Sequence, residues 1–230
     1  MTAKSKSKNL PGQENKPEHR LRLQPSDREK LIVEEAIRFF AEVGFEGRTR
    51  DLAKRLGVTQ PLLYRYFPNK ESLIERVYQE VYLGRLKPEW TSLILDRSFP
   101  LSKRLHTFYT EYQSAVSNYE WVRIFMFSGL RDVGINERYL AVLEERILSP
   151  ICSELRAEHN LPDILQVPIS TEEMEMVWSL HGQFFYRAVR KWIYNLPTPD
   201  DLTETLIYDI ESYLEMAPRF LKKKMGAQKK

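Results

Sequence analysis

Apolar positions along this chain recur mostly at helical period. Ile32, Ala36, Phe39, Phe40 and Val43 stand at i, i+4, i+7, i+8 and i+11, one face of a helix that Ser26 or Asp27 can cap and Gly44 ends. Two short helices are predicted next. The first runs over Thr49–Leu56, with Thr49 as cap and Gly57 as stop; the second covers Gln60–Phe67, with Pro61 in its first turn, where a missing N–H costs nothing. Pro68-Asn69 breaks the chain, and Lys70 opens a helix reaching Leu83 or Arg85.

Beyond Pro88 the predicted helices lengthen. Leu101, Leu105, Phe108, Tyr112, Ala115 and Tyr119 form one stripe, and Trp121–Leu130 is apolar on nearly every side, as a buried helix would be. Leu140, Leu143, Ile147 and Ile151 line another helix, which Pro150 should kink or break near Ser149. Met174, Trp178, His181, Phe185, Ala188 and Trp192 make a stripe flanked by a second, Val177, Leu180 and Phe184. Leu202, Leu206, Ile210, Tyr213 and Ala217 mark the last helix, after an Asp200 or Asp201 cap. The fold class is all-α. Four units are expected: a flexible basic arm over 1–24, a unit of short helices over 25–85, a unit of longer helices over 86–222, and a basic tail over 223–230.

Composition narrows the class. Hydrophobic residues make up 42% of the chain, enough for a packed core. The single cysteine, Cys152, leaves no intrachain disulfide and no multi-cysteine zinc site, which fits a cytoplasmic protein. No apolar run follows the basic N-terminus, and none reaches the roughly 18 residues that a membrane helix needs, so neither export nor a membrane partner is expected. Net charge is only +3, but it is unevenly placed: +4 over 1–25, 0 over 26–83, −6 over 84–221 and +5 over 222–230. Inside the neutral stretch Arg48, Arg50, Lys54, Arg55, Arg65 and Lys70 face only Asp51. Such a local patch is what phosphate neutralisation requires, because charge acts over about a Debye length.

The patch coincides with a helix-turn-helix pattern. Two helices crossing steeply need a small residue at the crossing, a glycine in the turn and apolar residues to hold them together. Ala53, Gly57, and Leu52, Leu56, Val58 and Leu63 fill those roles, which leaves Thr59, Gln60, Tyr64 and Tyr66 on the outward side of the second helix. A short helix so exposed can enter the major groove by its N-terminal residues. Read alone, the pattern favours outward roles for Tyr64 and Tyr66 over packing, and solvated charge over specific contacts for Arg48, Lys54 and Arg55.

Thr49-Arg50-Asp51-Leu52-Ala53-Lys54-Arg55-Leu56-Gly57-Val58, with Leu63-Tyr64-Arg65-Tyr66-Phe67-Pro68-Asn69-Lys70-Glu71 and Leu73, resembles the signature of tetracycline-repressor-like (TetR-family) regulators over roughly residues 27–80. The resemblance implies a homodimer on a near-palindromic double-stranded DNA operator, most often a repressor released by a small-molecule effector. Gln60 and Pro61 would face bases, Pro61 against a thymine methyl. Tyr64 and Tyr66 would touch phosphates, and Lys70 would grip one at a helix N-terminus. Thr49 fits a phosphate contact, and Arg50 could read guanine O6/N7. Thr59 completes the DNA-binding set. In the arm, Arg20 and Arg22 could follow the minor groove.

The C-terminal half has no catalytic spacing: His19, His106, His159 and His181 stand apart, and no phosphate loop or GxSxG is present. No cofactor, metal or enzymatic activity is expected. Tyr112, Trp121, Phe125, Trp178 and Phe185 point to an aromatic pocket for a largely apolar effector, with Arg123 and His181 as the polar residues in it. Arg123 must either pair with an acidic neighbour or meet an anionic ligand. His181 could instead be a satisfied core or interface histidine. Apolar residues on two sides of the helix from Thr171 to Tyr194, and the broad face of Asp201–Leu221, suit a four-helix dimer interface. The rival readings are a helical ligand-binding protein or enzyme whose first helices only pack, and a nonspecific nucleoid protein.

Overall fold

Pro25 occupies the first turn of α1 (Pro25–Val43), whose start at Gln24 has no side-chain cap: the fixed proline φ does the work expected of Ser26 or Asp27. The computed structural model describes residues 24–131 and 134–227. The arm with Arg20 and Arg22, and the end of the basic tail, lie outside the described residues. α1 ends at Gly44, where φ is +74° and the Gly44 N–H bonds back to the Phe40 carbonyl. A side chain there would be strained and would meet the Phe127 ring at 2.9 Å.

Then follow α2 (Thr49–Arg55) and α3 (Gln60–Tyr66), joined through Gly57 at φ +65°. Leu52 and Ala53 of α2 and Leu63 of α3 are buried against Ile32, Ala36 and Phe40 of α1 in one continuous core. α4 (Lys70–Val81) starts with a capping box in which Asn69 and Ser72 satisfy each other's backbone N–H. It stops at Val81, short of the expected Leu83, and a single 3₁₀ turn over Leu83–Arg85 carries the chain onward.

The second layer begins with α5 (Glu89–Leu95), a short helix the periodicity did not mark, and α6 (Leu101–Val116), which buries Leu101, Leu105, Phe108 and Tyr112 of the predicted stripe but leaves Ala115 half-buried and ends before Tyr119. α7 (Tyr119–Gly129) buries Trp121, Val122 and Ile124, but Leu130, expected inside, is 77% exposed past its end. α8 (Ile135–Leu143) runs through a π-helical turn at Glu144–Leu148 into α9 (Ser149–Glu158), where Pro150 sits in the first turn. Of the predicted kink or break, the structure shows no stop: a widened turn just before Ser149 carries the helix on.

α10 (Thr171–Trp192) and α11 (Thr203–Ala227) close the body, with Asp201 Oδ1 accepting from the Thr203 N–H as predicted. The long loop between α9 and α10 is pinned from beneath. Buried Arg156 donates to the carbonyls of Pro162, Val167 and Pro168 and pairs with buried Glu173. Burying that ion pair is tolerable because the surrounding carbonyls take up the rest of the guanidinium. No strand occurs among the described residues, and no helix there is long and apolar enough to cross a membrane.

Candidate nucleic-acid interface and effector cavity

α2 and α3 meet at an angle set by Ala53 and Gly57, which brings residues fifteen apart in sequence into contact. The Thr49 and Tyr64 hydroxyls lie 2.9 Å apart, and Gln60 Nε2 donates to Thr49 Oγ1 at 3.1 Å and to Tyr64 Oη at 3.3 Å. Three predicted DNA-contacting residues thus form one outward polar cluster. The bonds from Thr49 first, and Gln60 second, hold the Tyr64 phenol below its usual range. Thr49 spends its hydroxyl here and does not cap α2, whose N-cap is Arg48 without a side-chain bond.

The remaining predicted residues separate by role. Arg50 and Pro61 are exposed beside the cluster. Thr59 is exposed but its hydroxyl caps α3, accepting from the Leu62 N–H at 3.4 Å. Tyr66 is half-buried against the core, so only part of it faces out. Lys70 stands at the N-terminus of α4, and its ammonium donates to the Phe45 carbonyl. The basic patch is also smaller than the sequence count implied. Arg55 donates to Glu35 at 2.7 Å and to Glu42 at 2.6 Å, tying α2 to α1. That ion pair and hydrogen bond hold Glu42 below the usual carboxylate range. Charge pairs at a spacing of twenty and thirteen residues carry no local sequence signal, which is why Arg55 reads as solvated.

In the second layer, Tyr112, Trp121, Phe125, Trp178, His181 and Phe185 line one cavity of about 250 Å³ between α6, α7 and α10. All six were predicted as pocket residues. Tyr139 of α8 belongs to the same wall and was missed, although it stands one turn before Leu143 on a helix whose stripe was visible. A buried chain runs across the cavity wall: Tyr139 and Tyr112 hydroxyls 2.8 Å apart, and Tyr112 to His181 Nε2 at 3.2 Å. Burial pushes His181 down to about 4, so its ring is neutral at physiological pH. His181 Nδ1 and Trp121 Nε1 are buried with no hydrogen-bond partner among the described residues.

Arg123 is the exception. It lines no part of the cavity and meets no carboxylate. It lies on the far side of α7, its Nε donating to the Ala41 carbonyl at 2.5 Å and its Nη2 to the Glu42 carbonyl at 3.4 Å. Instead of a salt bridge or a place in the cavity wall, it has the C-terminal carbonyls of α1 as partners for its guanidinium. The Tyr119 and Phe127 rings lie 5.1 and 5.3 Å from it. One helix therefore presents Trp121 and Phe125 to the cavity and Arg123 and Phe127 to the first layer.

A second strut comes from α4. Tyr82, at its C-terminal end, is fully buried; its hydroxyl donates to the Trp121 carbonyl at 3.2 Å, and its ring packs on Trp121 and Tyr139. Glu75 of α4 pairs with Arg138 of α8 at 2.9 Å.

Residues 32–77 match the sequence profile of bacterial regulatory proteins of the tetR family. YhgD of Bacillus subtilis, an uncharacterised helix-turn-helix-type transcriptional regulator, is 32% identical over 81 residues, 35% of this chain and 41% of YhgD. The class A tetracycline repressor of transposon 1721 from Escherichia coli is 34% identical over 88 residues, 34% of this chain and 39% of the repressor. The chain thus spans about two fifths of the length of these relatives. In fold it is similar to AmtR of Mycobacterium smegmatis, with a TM-score of 0.59 at 18% identity over 90% of this chain and 97% of AmtR. A tetR-family regulator from Streptomyces coelicolor gives 0.58 at 17% identity, covering 89% and 87% of the two chains. Over residues 32–77 this chain is thus similar to bacterial regulatory proteins of the tetR family, and its helical fold as a whole is similar to that of solved tetR-family regulators.

Proposed function

We propose that the protein is a transcriptional regulator that binds a near-palindromic operator as a homodimer and is released from it by a small molecule held in the aromatic cavity. The observation that carries the DNA reading is the Thr49–Gln60–Tyr64 cluster, half-buried at Thr49 and Gln60 and exposed at Tyr64, with exposed Arg50 and Pro61 beside it. Arg50, Gln60 and Pro61 read bases, whereas Thr49, Tyr64, Tyr66 and Lys70 hold phosphates. Thr59 contributes chiefly by ordering α3. The proposed domains are 25–85 for DNA and 86–222 for effector and dimer.

Dimerisation is supported by apolar side chains left at the surface. Tyr208 and Met216 of α11 are 72% and 58% exposed, and Ile207 and Phe220 of the same helix and Tyr186 of α10 are exposed as well. The stripe of α10 that carries Trp178, His181 and Phe185 is spent on the cavity, so α11 supplies most of the free apolar area. Two α10–α11 pairs would form the four-helix interface, and the two α3 helices would then stand about one DNA turn apart, roughly 34–36 Å.

Tyr82 supports the coupling, since an effector that moves Trp121 or Tyr139 acts on the end of α4. A coupling of roughly 1–3 kcal/mol changes affinity about 5- to 150-fold, enough to switch a promoter. Footprinting on the adjacent intergenic region tests the first half: a protected palindrome is expected, and protection nowhere would sink the proposal. Gln60→Ala and Arg50→Ala should relax base preference at single positions by about 1–3 kcal/mol.

A further inference from the structure

On the effector reading, which this inference rests on, the guest of the aromatic cavity needs a way in. Much of the lining is sealed, with Tyr112, Tyr139 and His181 buried. Among the described residues of the lining, Gly182 alone is exposed, and a Cβ built on it would meet nothing within 4 Å. A residue that borders both the hollow and the solvent marks a mouth.

The half-buried lining residues locate its rim. Trp178 and Phe185, about a turn before and after Gly182 on α10, line the cavity, as does Leu140 of α8. Two other sides are closed. Half-buried Phe125 of α7 meets the Phe185 ring edge-on at 5.2 Å, and the carbonyl of half-buried Ser117, at the end of α6, accepts from Trp192 Nε1 at 2.9 Å. The mouth therefore lies between α8 and α10.

One side chain spans it. Trp178 lines the cavity, and its Nε1 donates to Glu144 Oε2 at 3.4 Å. Glu144 is exposed, one turn past Leu140, and opens the π-helical turn, a feature frequent at functional sites. The bond is long and lies where water can replace it, so breaking it costs little. The inner wall is held differently, by the buried Tyr139–Tyr112–His181 chain. We infer that guests enter and leave the cavity beside Gly182, between α8 and α10, and that Trp178 is the door, latched by Glu144. Such a door sets the rates of binding and release and leaves affinity alone, because it is shut both before and after passage.

The test uses the full chain and fluorobenzene, a neutral guest small enough for the hollow: the volume of about 250 Å³ exceeds the roughly 150 Å³ apolar cavity that holds a benzene. Fluorine NMR reads both Kd and the exchange rate. Gly182→Cys puts a thiol at the mouth, and a methanethiosulfonate reagent attaches a trimethylammonioethyl group to it, a cation that an apolar interior excludes. Cys152 stays unmodified, because it is buried and burial pushes its thiol up to about 12. The adduct should slow exchange about tenfold at unchanged Kd, and reduction should reverse it. Glu144→Ala, at an exposed position that keeps the test open should the cysteine variant not fold, should speed entry and release alike by about fivefold. Exchange unaffected by the adduct would overturn the place of the door. A rate unchanged in Glu144→Ala, or a changed Kd there, would overturn the latch. Either failure leaves the cavity itself standing, whereas no bound signal in the wild type would overturn the cavity and the door together. The operator reading is decided apart from all of these, by footprinting of the unliganded protein.

Discussion

The outward face of α2 and α3 and the cavity behind α7 are both small clusters of aromatic and polar side chains, but they are finished in opposite ways. Thr49, Gln60 and Tyr64 satisfy one another in the open, where water can replace every bond at little cost. In the cavity Tyr112, Tyr139 and His181 form a chain, yet Trp121 Nε1 and His181 Nδ1 end without partners. The first cluster is ordered before it meets anything. The second holds hydrogen-bonding capacity in reserve, where an unmet donor costs most. On the proposed function, a surface that lets go of DNA and a cavity that selects a guest would call for these different solutions.

The largest expected effect tests how thinly the outward face is anchored. α3 has a single buried side chain, Leu63. Leu63→Ala should cost about 2–5 kcal/mol in urea unfolding and abolish DNA binding; a loss below about 1 kcal/mol would mean that the face holds itself together.

Next in size comes the cavity's buried imidazole. Its folded-state pKa of about 4 lies below the ordinary 6.5, so between those values the unfolded chain binds a proton that the folded chain refuses. Stability is therefore full above pH 6.5 and falls as pH drops, by about 3 kcal/mol in all by pH 4. His181→Gln should flatten the part of that slope between pH 6.5 and 5, above the carboxylate range. Wild-type stability that stays level there would erase the contrast with the solvated cluster.

Arg123→Met removes the two bonds to α1 and should cost about 1–2 kcal/mol by thermal unfolding, discounted for partial exposure. It should leave the pH response of His181 unchanged, because Arg123 lies off the cavity; an altered slope between pH 6.5 and 5 would return Arg123 to the cavity wall. The smallest effect belongs to Tyr64→Phe. It should weaken DNA binding about threefold on all sequences alike in gel-shift titration, and a sequence-dependent loss would make Tyr64 a base reader.

The legibility of the two regions follows the same divide. The helix-turn-helix is built within 23 residues, so Leu52, Ala53, Gly57 and Leu63 declare their roles through local spacing alone. The cavity is assembled from four helices, but each contributes a periodic stripe, and six of its residues could be named from those stripes. Arg123 could not. Periodicity gives the angle between Trp121 and Arg123 on α7 without saying which neighbour lies on which side, and the neighbour proved to be α1, eighty residues away. The pairing of Arg55 with Glu35 and Glu42 was hidden for the same reason.

The seam between α1 and α7 also bears on whether this DNA reader can be transplanted. Residues 25–85 look like a detachable module, but Arg123 closes the end of α1 from outside that segment, and Gly44 leaves room that Phe127 fills. A hybrid carrying this reader on another regulator's body would leave the Ala41 and Glu42 carbonyls uncapped and a hollow beside Gly44. It would gain the operator but lose a fixed angle to the new body, so its binding should become insensitive to that body's ligand. Importing the Arg123 and Phe127 side chains along with the reader is the smallest repair.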